Sequence, residues 1–271
     1  MICVSHLTAL DASPEEFIDG AAAAGFEGVG LRIHPPKHAP HQYAIAVDPQ
    51  WTRDLRRRAD DLGIRIFEAE SFGIDRDTDV DSMRHALEAA TVLGASYIVS
   101  GGIDDDESRL VTSYAKLADA AAEFGLGLAI EFMPSRPMRS LHDARRVISK
   151  VGHPNARLLV DVLHLDRSGG TPEELADVDV EQIAYIHLCD APQGPPASLT
   201  EESRRGRLFP GEGTLPLTRL FDLLPANIDV SLEAPHASHA HLSVRERLML
   251  AGESTLRFMH GARERHAALA H

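Results

Sequence analysis

Residues 121–131, Ala-Ala-Glu-Phe-Gly-Leu-Gly-Leu-Ala-Ile-Glu, hold the pattern from which the fold can be read. An Ala-rich helical stretch stops at Gly125, where a helix end favours a left-handed residue. A β-type apolar run follows at once and breaks off in Glu131. The same design recurs at 21–33 (AAAAGFEGVGLRI), 59–69 (ADDLGIRIFEA) and 90–100 (ATVLGASYIVS), with Gly25, Gly63 and Gly94 as the stops. Helix starts are equally legible in Ser13-Pro14-Glu15-Glu16, Asp48-Pro49 and Thr171-Pro172-Glu173-Glu174. Each pairs a capping side chain with Pro at the first helical position, and two add Glu at the third.

Extended outward, this alternation predicts strands near 2–6, 28–33, 64–69, 97–100, 127–131, 157–161, 183–188 and 228–232, each followed by a helix. Leu158-Leu159-Val160 and Ile183-Ala184-Tyr185-Ile186 are continuously apolar, as strands covered on both faces must be. Eight such units point to an α/β protein, a (β/α)8 TIM barrel forming a single domain over 1–271. A doubly wound open sheet is the alternative. It would carry a Gly-rich phosphate loop after the first strand, and residues 4–11, VSHLTALD, contain no glycine. The longest stretch without a regular pattern is 189–215, rich in Pro, Gly and Arg, and a loop of that length is expected to be functional.

With 44% hydrophobic residues in 271, the chain can bury a large core unaided. It has two cysteines, Cys3 and Cys189, and opens Met-Ile-Cys-Val-Ser-His without a leader-like pattern, which predicts a cytoplasmic protein. No run approaches the roughly 18 apolar residues of a membrane span. A net charge of −14 works against partners bound through their phosphates, so neither nucleic acid nor membrane is expected as a partner. The expected partners are a small polyhydroxylated molecule and further copies of the chain, as a homodimer or tetramer.

The chemistry of a barrel gathers where its strands end. Strand 5 ends in Ala-Ile-Glu131, strand 6 in Leu-Val-Asp161, strand 7 in Tyr-Ile-His187 and strand 8 in Ser-Leu-Glu233. Ionisable groups abutting buried apolar runs cost several kcal/mol each unless a partner neutralises them, and four in succession call for a shared one. Three carboxylates and an imidazole suit one divalent metal ion, Mn2+, Mg2+, Co2+ or Zn2+.

These segments resemble the xylose-isomerase-like TIM-barrel superfamily, which includes sugar isomerases, ketose 3-epimerases, inosose dehydratases and endonuclease IV relatives. The resemblance covers nearly the whole chain. It rests on Ile-Glu131, Val-Asp161-Val-Leu-His164, Ile-His187-Leu-Cys-Asp190, Pro210-Gly211-Glu212-Gly213 and Leu-Glu233. It implies that Glu131, Asp161, His187 and Glu233 hold the metal while His164 bonds a substrate oxygen. Where the endonuclease relatives carry an Asp-x-His metal pair, this chain has Arg205-Gly206-Arg207. Arg207 therefore reads as a planar fork for a substrate carboxylate, phosphate or hydroxyl. The arginine that ketose 3-epimerases place six residues after the metal-binding His is Gln193 here, which weakens the case for a plain ketohexose epimerase.

Further polar residues finish early strands: His6, Arg32, His34, Glu68, Glu70 and Ser71. Of these, Glu70 and His34 are expected substrate contacts. Asp190 is expected to orient His187 or the arginine loop, because metal-binding imidazoles need an acceptor for their other nitrogen. The stretches His34-His38-His41 and His236-His239-His241 match no tetrahedral metal spacing and read as solvated loops. Trp51 and Met133 read as packing residues.

A metal beside two glutamates suits proton abstraction next to a carbonyl. Glu131 and Glu233 would be the catalytic pair, one taking the proton and the other returning it. The expectation is a metal-dependent isomerase or epimerase of a sugar, sugar phosphate or keto-inositol, with a dehydratase of a keto-polyol or cyclic keto acid as the alternative. A phosphodiesterase on abasic DNA and a non-catalytic sugar-binding barrel are further alternatives. The first is opposed by the missing Asp-x-His pair, the second by the two strand-end glutamates.

Overall fold

The structure is a computed structural model, described here for residues 1–34, 43 and 45–269. Eight parallel strands close a barrel in sequence order: β1 (Ile2–Val4), β2 (Gly28–Arg32), β3 (Arg65–Glu70), β4 (Tyr97–Gly101), β5 (Gly127–Glu131), β6 (Ala156–Asp161), β7 (Ile183–Leu188) and β8 (Val230–Leu232). β1 closes the ring on β8 through Ile2↔Val230, Cys3↔Ser231 and Val4↔Leu232. This is a (β/α)8 TIM barrel.

The helices are α1 (Pro14–Ala23), α2 (Pro49–Asp61), α3 (Arg84–Leu93), α4 (Glu107–Glu123), α5 (Leu141–Val151), α6 (Val162–Arg167), α7 (Leu199–Arg205), α8 (Leu217–Leu223) and α9 (Val244–Leu269). Ser13 and Glu16 form the capping box that starts α1, and Asp48 caps α2 by accepting from Gln50 N and Trp51 N. Gly25, Gly63, Gly94 and Gly125 all have left-handed φ at the helix ends. None of the described helices is long and apolar enough to cross a membrane.

Most strand ends shift by one or two residues from the sequence expectation, and three features depart further. β1 stops at Val4, because the Ser5 hydroxyl accepts from Leu7 N and turns the chain into a short 3-10 helix, His6–Ala9. The Thr171-Pro172 signal starts a 3-10 helix, Pro172–Asp177, rather than an α-helix. The stretch 189–215 is not structureless. It carries α7, and it is stitched to itself by reciprocal backbone bonds of 2.8 Å between Asp190 and Leu208.

Inside the barrel, Cys3, Phe67, Val99, Ala129, Leu159, Ala184 and Tyr185 form a closed apolar layer, with Tyr185 edge-on to Phe67 at 4.9 Å. Side chains alternate faces along a strand. Two residues beyond Ala129, Leu159 and Tyr185, the same inward face therefore presents Glu131, Asp161 and His187. The acids and the imidazole thus stand directly on an apolar floor.

Gly30 makes room for this arrangement. It pairs with Glu68 at an irregularity between β2 and β3, and a Cβ there would lie 2.5 Å from Glu70 Oε1 and 2.6 Å from Glu68 Cγ. Glu68 is fully buried and hydrogen-bonded by Tyr185, His187 and Ser231, so it has nowhere to go. Gly30→Ala should therefore cost about 1–3 kcal/mol by overpacking. Urea denaturation measures this, and an unchanged unfolding midpoint would show that Glu68 can move aside.

Candidate metal centre

Glu131, Asp161, His187 and Glu233 converge from β5, the end of β6, β7 and the residue after β8. One ligating atom of each lies within 4.8 Å of the other three, so the group could hold a metal ion. All four are buried. Asp161 is fixed by its own backbone surroundings: it caps α6, its Oδ1 accepting from Leu163 N at 2.8 Å and His164 N at 3.1 Å. Only Oδ2 is left facing the cluster. Glu233 Oε1 accepts from Ser5 Oγ at 3.2 Å.

His187 is oriented by Glu68. Its Nε2 lies 3.0 Å from Glu68 Oε2, an oxygen that also accepts from the Tyr185 hydroxyl, while Ser231 Oγ donates to Oε1 at 2.6 Å. That bond turns Nδ1 toward the cluster, 3.4 Å from Glu131 Oε1 and 3.6 Å from Glu233 Oε2. Although burial opposes it, the surrounding Glu233, Glu68 and Glu131 carboxylates hold the His187 pKa well above its ordinary value. Glu68 itself, against its burial, is held below the usual range by His187, Ser231 and Tyr185.

Arg207 takes a different place from the expected loop fork. It is fully buried, with Nη1 2.6 Å from Asp161 Oδ2 and Nη2 2.9 Å from Glu233 Oε2. The guanidinium is therefore spent on two of the four cluster residues. Burial tends to raise the Asp161 pKa, but Arg207, His164 and His187 hold it well below the usual carboxylate range. Burial holds Glu233 above that range, partly offset by His187 and Arg207.

Even so, the charge is incompletely answered. Two buried atoms at the centre, Glu131 Oε1 and His187 Nδ1, have no hydrogen-bond partner. Unsatisfied buried polar atoms are rare and costly. An oxygen-rich donor set with one imidazole and two unsatisfied donor atoms fits a divalent cation.

The other expected site residues are placed as follows. His164 is buried, its Nε2 3.9 Å from Asp161 Oδ2, and burial, partly offset by Asp161, keeps it below its ordinary pKa. Glu70 Oε1 accepts from His6 N at 2.8 Å, and burial with the nearby Glu68 charge pushes its pKa up to about 7. His34 stacks on Phe72 at 5.3 Å and is not hydrogen-bonded to the four cluster residues. Asp190 does not reach His187. It accepts from Gly211 N and Leu215 N, each at 3.0 Å, and so braces the segment that follows Arg207. A Cβ on Gly213 would lie 2.2 Å from Ala191 O, which is why Pro210-Gly211-Glu212-Gly213 ends in glycine.

Glu68 is the residue whose role the sequence did not single out. Its signal was present, an acid set between Phe67 and Ala69, but nothing local shows which partner it faces. The histidine stretches also differ from expectation. His236 is bound to Glu212 at 3.1 Å, and both it and His239 pack on Phe209, so of 236, 239 and 241 only His241 is a solvated loop residue. His38 and His41 lie outside the described residues.

A closed parallel barrel with a buried cluster of three acids and one imidazole at its strand ends defines a class of barrel built around a candidate cation site. The chain belongs to the xylose isomerase-like TIM barrel family, whose model matches residues 18–253. It is 24% identical over 190 residues to the inosose isomerase of Halalkalibacterium halodurans, covering 65% of this chain and 66% of that protein, just under two thirds. It is 26% identical over 212 residues to the 3-dehydroshikimate dehydratase of Pseudomonas aeruginosa, covering 73% of this chain and 32% of that one. The crystal structure of the IolI protein with a zinc atom superposes with a TM-score of 0.83 at 19% identity, covering 95% of this chain and 97% of that one. These two relatives found by sequence are named for an isomerase and a dehydratase.

Arg207 and a cation would answer the same two carboxylates, which can be measured as coupling. Removing one partner of a buried pair costs about 3–5 kcal/mol, so metal-free Arg207→Ala should lose stability on that order and regain much of it with Mn2+. Thermal unfolding of both proteins with EDTA and with Mn2+ gives the answer. Equal metal-induced shifts in wild type and variant would mean that Arg207 and the ion do not share the acids.

Proposed function

We propose that the chain is a divalent-metal-dependent isomerase or epimerase of a small polyhydroxylated keto compound, a sugar, sugar phosphate or keto-inositol. The observation that carries this reading is the buried, unpartnered Glu131 Oε1 beside His187, with a second glutamate, Glu233, in the same cluster. Glu131, Asp161, His187 and Glu233 would hold the ion, Mn2+, Mg2+, Co2+ or Zn2+. When bound, it supplies a Lewis acid for adjacent carbonyl and hydroxyl oxygens.

The chain's own residues then divide the work. Glu131 takes the proton from the carbon beside the carbonyl. Glu233, steadied by Ser5 and Arg207, returns one, which moves the carbonyl or inverts the centre. His164, as a neutral imidazole, and Glu70 hold substrate hydroxyls, while Glu68 keeps His187 aimed. Loss of a β-hydroxyl as water instead of reprotonation would make the enzyme a lyase, the reaction in the name of the Pseudomonas relative.

The test is NMR in D2O with Mn2+-loaded protein and a panel of ketoses, keto-inositols and cyclic keto acids, the ion being removed before measurement. A substrate should incorporate solvent deuterium at the carbon beside its carbonyl, and the product should show isomer, epimer or dehydrated compound. Glu131→Gln and Glu233→Gln should each lower net turnover by about 10²–10⁴-fold, with at least one of them retaining exchange. Turnover without any deuterium incorporation would rule out a base that exchanges with solvent and leave an internal hydride shift.

A further inference from the structure

The barrel interior carries two hydroxyls where apolar side chains would fill the same space. Tyr185 stands two residues before His187 on β7, and Ser231 on β8 is the register partner of His187. Both are fully buried, and both hydroxyls end on one carboxylate. Tyr185 donates to Glu68 Oε2, and Ser231 Oγ donates to Oε1 at 2.6 Å. Among the described residues the one ion pair of Glu68 is with His187, whose Nε2 lies 3.0 Å from Oε2. A buried acid and two buried hydroxyls are costly unless hydrogen-bonded, and here each satisfies another.

Neither the imidazole nor the carboxylate is fixed by its own torsions, because the last side-chain torsion of each is broad and roughly two-fold. A half-turn of the His187 ring would put a carbon where Nδ1 now faces Glu131 Oε1 at 3.4 Å and Glu233 Oε2 at 3.6 Å. Glu68 selects the setting that presents nitrogen to the cluster, provided that its own oxygens stay in place. They are held from two strands. The Tyr185 ring is wedged edge-on against Phe67 at 4.9 Å and tilted against Tyr97 at 5.5 Å, which fixes where its hydroxyl stands. Ser231 holds the other oxygen from β8. Orientation thus passes upward in one line: Phe67 and Tyr97 pack Tyr185, Tyr185 and Ser231 hold Glu68, and Glu68 turns His187.

We propose that Tyr185 and Ser231 are positioning residues for His187, acting through Glu68, so that two hydroxyls of the barrel interior set how tightly the divalent ion is bound. This rests on the metal reading given above and extends it to residues outside the four that would hold the ion. Partners that orient a metal-binding imidazole typically govern affinity by about 10–100-fold.

Mn2+ binding, measured by competition with a fluorescent chelator at a temperature where every variant is folded, tests the proposal without reference to turnover. Tyr185→Phe removes one hydroxyl and leaves the ring that packs edge-on to His187 at 5.4 Å, so it isolates the bond to Glu68. Tyr185→Phe and Ser231→Ala should each weaken Mn2+ binding about 10-fold, and Glu68→Gln by about 10–100-fold. Because the hydroxyls act through the acid, adding Tyr185→Phe to Glu68→Gln should change affinity by less than about 3-fold. Unchanged Mn2+ affinity in both hydroxyl variants, with or without a lower unfolding midpoint, would leave the hydroxyls a structural role alone and overturn the proposal. A full 10-fold effect of Tyr185→Phe in the Glu68→Gln background would overturn it too, since the hydroxyl would then act by another route. Should Glu68→Gln not fold, the two hydroxyl variants decide the matter by themselves. Wild-type protein that binds no divalent ion would remove the metal reading together with this one, whereas tight binding that ignores both hydroxyls would remove this one only.

Discussion

Four acids, Glu68, Glu131, Asp161 and Glu233, are held out of water around one imidazole, and the positive charge that answers them decides where the neighbouring residues must be. Each acid alone would take up a proton rather than stay ionised in such surroundings. His187 and Arg207 share the task, and each is locked by the acids it neutralises. The apolar layer below offers them no counter-charge, since it is built of Cys3, Phe67, Val99, Ala129, Leu159, Ala184 and Tyr185. Strand register, the glycine at 30 and the packing of 189–215 all serve to bring these groups to the same place.

Much of this was legible in the sequence because it is local. Helix-ending glycines, capping residues and apolar runs each report on a few neighbouring residues, and eight repeats of one unit leave little choice of fold. The strand-end residues Glu131, Asp161, His187 and Glu233 were legible for the same reason, since ending an apolar strand in an ionisable residue is visible without the partner. What distant parts of the chain do to each other was not. Glu68 and His187 are 119 residues apart, and only barrel closure shows that the first orients the second. Asp190 offered the nearer candidate, three residues from His187, but at the end of β7 its carboxylate is drawn to the amides of Gly211 and Leu215.

Arg207 illustrates the same limit from the other side. Its position before Pro210-Gly211-Glu212-Gly213 was readable, as was its capacity for two planar bonds. Which two oxygens it would take depended on how α7 lies against the barrel, and that is set by the buried Arg167–Glu202 pair. The segment 189–215 looked featureless because its order comes from tertiary bonds, not from any periodic pattern.

The floor formed by Phe67, Tyr185 and their neighbours has a consequence for proton traffic. An acid standing on such a floor meets solvent from one direction only. Any proton that a bound molecule gives up would trade with water only through that one opening, so the pace of its replacement would report how fully the molecule fills the mouth.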